Sequence, residues 1–270
     1  MPPKPVPTHF LCIPLVTQSS RPQLTQSLAA FRADVSDPLS FNVPEDAIRP
    51  VGSLHLTLGV FSFPKNSDEG AERLEKAKSI LQSLKPSEIL KGIKTPAMPG
   101  TTPATPATTK KRKEEDNPLL ITLRGLQTMQ STTPSKASVI YAQPADSLGK
   151  LQQFCERVRG VFQEVEGLMI PDDRPLLLHA TVVNTIYVKG RERQQQQHRK
   201  KGHHHGGGGS KRGERVTVDA TGILDRYEDQ VWMEDVRVEK IAICKMGAKK
   251  IEVDGVVVDE EYEVVGEVDV

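Results

Sequence analysis

Two short segments of this chain repeat one pattern, and the repeat narrows the folds open to it. Ser53-Leu54-His55-Leu56-Thr57-Leu58 and Leu177-Leu178-His179-Ala180-Thr181-Val182 each alternate apolar residues with one histidine and one threonine. Side chains in a β-strand point alternately to its two faces, so this alternation marks a strand with one buried face. Leu54, Leu56 and Leu58 are expected in a core, and so are Leu178, Ala180 and Val182. Each strand then presents one imidazole and one hydroxyl together on its other face.

The flanking segments carry strand and helix spacing in the same order twice. Residues 9–16 are β-like, and Ser20 and Pro22 open a helix with Leu24, Leu28, Phe31 and Val35 at helical spacing. A loop punctuated by Pro38, Pro44 and Pro50 leads to the first motif strand at 53–61. A second helix starts near Asp68, with Leu74, Ala77, Leu81 and Leu84 on one face. Strands are expected at 119–126 and 138–142. Asp146 is expected to cap a helix whose apolar stripe is Leu148, Leu151, Phe154, Val158, Val161, Phe162 and Val165, and Gly167 can end it. The second motif strand follows Pro175 and runs to about Val188. A short helix at 220–227 and strands at 236–244 and 262–268 come last. The predicted architecture is α+β. Two lobes related by a pseudo-twofold each hold an antiparallel sheet, flanking helices and one motif strand, within a single domain at 8–270.

Residues 94–117 are rich in Thr, Pro and Ala and then charged, and residues 189–213 are rich in Gln, His, Gly and Lys/Arg. Such compositions bury too little apolar surface to order themselves, and both are read as disordered insertions. Within them, Lys110-Lys111-Arg112-Lys113 is either a nuclear-localisation patch or a solvated charge run. His203-His204-His205, beside a glycine run, reads as a polar loop rather than a metal site.

The charge balance excludes some partners. With 36 Lys+Arg against 35 Asp+Glu the net charge is +1, so any nucleic-acid contact must be local. Cys12, Cys155 and Cys244 are odd in number and widely spaced, which reads as reduced thiols of a cytoplasmic or nuclear protein. No Cys-x-x-Cys spacing suggests zinc. Met1-Pro2-Pro3-Lys4-Pro5 does not read as a signal peptide, and no run of about 18 apolar residues offers a membrane span.

A lone His-x-Thr says little, because a single histidine is more often a hydrogen-bonded structural residue. Two copies at equivalent places say more. They offer two histidines for proton transfer and two hydroxyls for anionic oxygens, which is a chemistry for phosphodiesters.

His55-Leu56-Thr57-Leu58 and His179-Ala180-Thr181-Val182 follow a known pattern, in which His-x-Thr/Ser plus a hydrophobic residue occurs twice. By it the chain resembles the 2H phosphoesterase superfamily, which includes 2′,5′ RNA ligase-like proteins and cyclic phosphodiesterases. Thr8-His9-Phe10-Leu11, Ile243-Cys244-Lys245-Met246-Gly247 and Tyr262-Glu263-Val264-Val265-Gly266 extend the resemblance. They point to the branch formed by the central domain of A-kinase anchoring protein 7 and of activating signal cointegrator 1 complex subunit 1. A KH domain and a kinase-anchoring helix, which flank that domain elsewhere, are not expected in this chain.

The resemblance implies a LigT-like fold, a monomer, no cofactor and no metal. It implies His55 and His179 as catalytic residues and Thr57 and Thr181 as phosphate-binding residues. It places Lys245 near the site, as a phosphate ligand or a plain surface lysine. Tyr262 and Phe10 either stack on a base or pack in the core. The implied substrates are nucleotides or RNA ends with 2′,3′-cyclic, 2′,5′-linked or terminal 3′,5′ phosphodiesters. One neutral histidine would take a proton from the nucleophile and the other, protonated, would give one to the leaving oxygen. The alternative is a non-catalytic module that holds an AMP- or CMP-like nucleotide in a regulatory or nuclear scaffold. Which histidine is acid and which is base is not legible.

Overall fold

In a computed structural model, the structure describes residues 5–94, 118–188 and 216–270. The two expected insertions lie outside the described residues except for Lys94, and with them residues 110–113 and 203–205. β1 (His9–Pro14) leads into α1 (Ser20–Ser36), whose Leu24, Leu28, Phe31 and Val35 recur at helical spacing and are all buried. The Ser20 hydroxyl donates to Leu15 O and so ties the start of α1 to the end of β1. β2 (His55–Phe61) is followed by α2 (Asp68–Ser83), capped by Ser67, whose Oγ accepts from Gly70 N–H at 3.1 Å. Next come α3 (Pro86–Lys91), β3 (Leu120–Thr128), β4 (Val139–Ala145), α4 (Leu151–Gln163) and β5 (Ala180–Asn184). They are followed by α5 (Thr221–Arg226), β6 (Val231–Arg237), β7 (Lys240–Lys245), the hairpin β8 (Lys249–Val253) and β9 (Val256–Glu261), and β10 (Val264–Asp269).

Eight strands form one antiparallel sheet in the order β10-β7-β1-β2-β5-β4-β3-β6. The two motif strands are its central neighbours, joined through one residue pair, Leu56 with Ala180. Beyond that pair they part, and each takes a substitute partner. Phe61 bridges Met169, and Ile170 N–H donates to Val60 O at 2.8 Å. Ile48 bridges Val183, and Arg49 N–H donates to Val182 O at 2.8 Å. The halves β10-β7-β1-β2 and β5-β4-β3-β6 are therefore related by a pseudo-twofold through the Leu56–Ala180 pair, as the two-lobed reading requires.

Only Val238 and Glu239 link β6, at one end of this order, to β7, next to the other end. So short a link reaches at most about 11 Å, and the sheet curls until its ends meet. Val238 N–H donates to Leu119 O, and Val270 N–H donates to Glu239 O. α1 packs on β6, α2 on β10, and α4 on β2. The helix-covered face supplies Leu11, Ile13, Leu56, Leu58, Ala180, Val182, Ile241 and Ile243 to the core. On β1 and β7 the opposite face carries a separate small cluster of Phe10, Cys12, Ala242 and Cys244, packed by Tyr262.

Four expectations change. The strand expected at 236–244 is two strands, because β6 pairs with β3 whereas β7 pairs with β1 and β10. Periodicity does not record that change of partner. The hairpin β8–β9 was not anticipated. Its signal is Asp254-Gly255, both at positive φ, between apolar strand residues, the composition of a two-residue hairpin turn. The second motif strand is shorter than expected, since Asn184 Oδ1 accepts from Ile186 N–H and turns the chain into a 3-10 helix at Thr185–Tyr187. Asp146 does accept from Lys150 N–H at 2.6 Å and Leu151 N–H at 3.2 Å, but the helix starts at Leu151 and leaves Leu148 in the turn.

Candidate active site

His55 and Thr57 alternate with buried Leu56 and Leu58, so they leave the core and share the other face of β2. His179 and Thr181 do the same around Ala180. β2 and β5 run antiparallel through the Leu56–Ala180 pair, so His55 lies across from Thr181 and Thr57 across from His179. Residues in such cross-strand positions are close neighbours. The four side chains expected in the site thus form one crossed set. They stand on adjacent strands.

The two imidazoles are held alike. His55 Nδ1 lies 2.8 Å from Ser53 O, and His179 Nδ1 lies 2.8 Å from Leu177 O. A carbonyl only accepts, so each Nδ1 carries the proton and each neutral ring keeps its lone pair on Nε2. The orienting partner is the carbonyl two residues earlier in both cases.

The surroundings of the two rings differ. His55 packs against Phe10 (ring centroids 4.7 Å) and edge-on to Tyr262 (5.2 Å). His179 meets Tyr141 at 5.3 Å. The His179–Leu177 bond is exposed where the His55–Ser53 bond is partly buried. Burial lowers the pKa of His55 from 6.5 to about 4; the Ser53 carbonyl opposes this, and the charges of His179 and Arg49 add to the lowering. At neutral pH the His55 ring is uncharged, and its Nε2 is a proton acceptor.

This shift makes stability depend on pH. The unfolded chain protonates His55 more readily than the folded one, so the His55 contribution is complete above pH 6.5 and is lost as pH falls towards 4. A shift of this size corresponds to a loss of up to about 3 kcal/mol. His55→Gln does not titrate and should lack this component. Urea unfolding of both proteins near neutrality and near the lowered pKa measures it. Equal losses in the two proteins would mean that the imidazole is not held neutral by burial.

Arg49 is 5% exposed, with its guanidinium carbon 3.9 Å from the centroid of the Tyr187 ring. Burial pushes the Tyr262 hydroxyl up to about 12, with Tyr187 adding to this and Arg49 opposing it. Arg49, Tyr141 and Tyr187 were not singled out from the sequence. The one signal for Arg49 is a charged residue between Ile48 and Pro50 on the approach to β2. Lys245 stands exposed at the end of β7, paired in register with His9, and its charge acts on His9 and Glu263. Phe10 and Tyr262 wall the His55 ring. Behind them Cys12 and Cys244 lie with sulfurs 3.8 Å apart, both free and buried.

Tyr262 directly follows β9, and β9 is latched down beside the site. Gly52 N–H donates to Asp259 Oδ1 at 2.8 Å, and Arg21 pairs with Asp259 at 2.8 Å and Glu261 at 2.7 Å. A Cβ on Gly52 would stand 2.6 Å from Glu261 Cγ and 2.8 Å from Glu260 O, so the glycine permits this closure. Among the described residues no helix is long and apolar enough to cross a membrane, and no group of three His, Cys, Asp or Glu could hold a metal.

A family model described as the AKAP7 2′5′ RNA ligase-like domain matches residues 7–270. A Schizosaccharomyces pombe protein described as uncharacterised is 25% identical over 116 residues, which is 43% of this chain and 44% of that protein. The match thus spans less than half of that relative's length. Among solved structures, Escherichia coli LigT complexed with 3′-AMP is similar at a TM-score of 0.46 and 15% identity, covering 97% of each chain. A structure described as a phosphoesterase gives 0.44 at 16% identity over 98% of each chain. TT0787 of Thermus thermophilus gives 0.46 at 14% identity over 97% of each.

Proposed function

The chain belongs to the AKAP7 2′5′ RNA ligase-like domain family, and from that premise we propose that it is a two-histidine phosphodiesterase acting on RNA ends or small nucleotides. The substrates are 2′,3′-cyclic, 2′,5′-linked or terminal 3′,5′ phosphodiesters. What supports this reading is the crossed set made by the Leu56–Ala180 pair, with two imidazoles oriented through Nδ1 and one threonine across from each.

The roles follow from the two environments. His55, neutral and walled by Phe10 and Tyr262, takes the proton of the attacking water or 2′-hydroxyl on Nε2. His179, on the more exposed side, acts in its protonated form and delivers the Nε2 proton to the leaving oxygen. Thr57 and Thr181 donate to the non-bridging oxygens, whose charge grows in the transition state. Each step uses only imidazole and hydroxyl groups, so turnover survives a chelator. A screen of 2′,3′-cyclic nucleotides, 2′,5′-oligoadenylate and short RNAs in EDTA, reading product termini, tests the proposal. Absence of turnover on all of them, with tight mononucleotide binding, would replace the enzyme by a nucleotide-binding module.

The hydroxyls can be tested separately. Thr57→Val and Thr181→Val keep the side-chain shape and remove one donor each. Each should lower kcat by about 10²–10³-fold, as loss of one oxyanion donor does. Steady-state kinetics on the best substrate of the screen measures this. Unchanged kcat in both variants would take the hydroxyls out of the mechanism.

A further inference from the structure

Arg49 is a buried cation that the fold alone does not account for. Its side chain is 6% exposed, its Nη2 has no hydrogen-bond partner, and the carboxylate it pairs with, Glu260 Oε2, is 3.8 Å away. That distance is too long for a hydrogen bond, and an unmade hydrogen bond on a buried charged group is costly. The guanidinium lies over the Tyr187 ring and acts on the hydroxyl of Tyr262, the residue packed edge-on against His55.

Arg49 N–H donates to Val182 O of β5. The backbone bond to Val182, the neighbour of Thr181, holds Arg49 against one motif strand, and the chain then runs through Pro50 and Gly52 into the other.

We infer that Arg49 is a phosphate-binding residue of this site, donating from Nη2 to a non-bridging oxygen of the phosphodiester held between His55 and His179. This rests on the phosphodiesterase reading above. A planar guanidinium suits an anionic phosphate oxygen. The substrate anion takes the place that Glu260 fills loosely, and it satisfies the donor that the fold leaves unmet.

The test is titration of AMP into wild type, Arg49→Gln, Arg49→Lys and Glu260→Gln, followed at the imidazole C2–H resonances of His55 and His179. Adenosine serves as the uncharged control, and fluorescence of Trp232 checks that each variant is folded. Arg49→Gln should weaken AMP by about 10–100-fold, the range of a charge-assisted hydrogen bond, and leave adenosine binding nearly unchanged. Arg49→Lys should fall between, because lysine keeps the charge without the fork. Glu260→Gln should bind AMP as well as wild type or better. Equal AMP affinity in wild type and Arg49→Gln overturns the inference while the phosphodiesterase reading stands. Parallel loss of AMP and adenosine also overturns it, since Arg49 would then be a strut for the β8–β9 hairpin. Should Arg49→Gln fail to fold, Glu260→Gln decides, and weaker AMP binding there overturns the inference. If AMP moves neither histidine resonance in wild type, both the phosphodiesterase reading and the role of Arg49 fall.

Discussion

Replacing His55 or His179 by alanine is expected to lower kcat on a 2′,3′-cyclic or 2′,5′-linked substrate by about 10²–10⁴-fold, the usual worth of a positioned acid or base. The two losses should not add in the double variant, because each proton transfer completes the same displacement. The orienting carbonyls of Ser53 and Leu177 belong to the backbone, so either alanine variant should keep its fold. The pH profile distinguishes the two histidines. kcat/KM reports the free enzyme, so its acid limb should fall at the lowered pKa of His55, about 4, and should vanish in His55→Ala. Mononucleotide binding should survive both changes better than turnover does, since base and sugar contacts remain. Turnover by wild type and both variants is the decisive comparison, and equal rates in all three would end the two-histidine mechanism.

Trp232→Ala should cost about 3–5 kcal/mol of stability, as truncation of a large core aromatic does. Trp232 is 1% exposed, edge-on to Phe31 with ring centroids 5.2 Å apart, and its Nε1–H donates to Gly125 O at 2.9 Å. Gly125 sits at positive φ in β3, where the β3–β4 ladder shifts register. The Ser27 hydroxyl of α1 donates to Trp232 O at 3.0 Å. One side chain therefore joins the edge strand β6 to β3 and to α1. Trp232→Phe should cost less, about 1–3 kcal/mol, mostly for the carbonyl of Gly125 left without its donor. Urea unfolding followed by circular dichroism measures both, since the chain's one tryptophan is the residue removed. A loss below about 1 kcal/mol for the alanine variant would show that the space collapses and that β6 is held by other contacts.

Local pattern made much of this molecule legible. Leu54, Leu56, Leu58, Leu178, Ala180 and Val182 are all buried where alternation put them, and the stripe of α1 is buried as spaced. Elements whose identity depends on their partner were harder. The 236–244 segment looked like one strand because Val236, Val238, Ile241 and Ile243 are all apolar, yet β6 and β7 serve opposite ends of the curled sheet. The β8–β9 hairpin exposes Val253, Val256, Val257 and Val258, so it shows no alternation between core and solvent for a pattern to detect. Arg49 gives no local signal of burial, because charge in a loop ordinarily faces water. Its burial comes from Tyr187 and from the hairpin that closes over Gly52.

Local sequence pattern is enough to specify the two motif strands, the face on which each histidine and threonine stands, and the duplicated α+β plan. These depend on the period-two geometry of a strand and the spacing of apolar residues, which are local properties. The tertiary structure alone decided that the two strands meet at a single pair, Leu56 with Ala180, so that each histidine faces the other strand's threonine. It alone made the two imidazoles unequal, by closing Phe10 and Tyr262 around His55 and bringing the charge of Arg49 to bear on it. Those outcomes depend on the curl of the sheet and the docking of the hairpin, which bring together segments far apart in the chain.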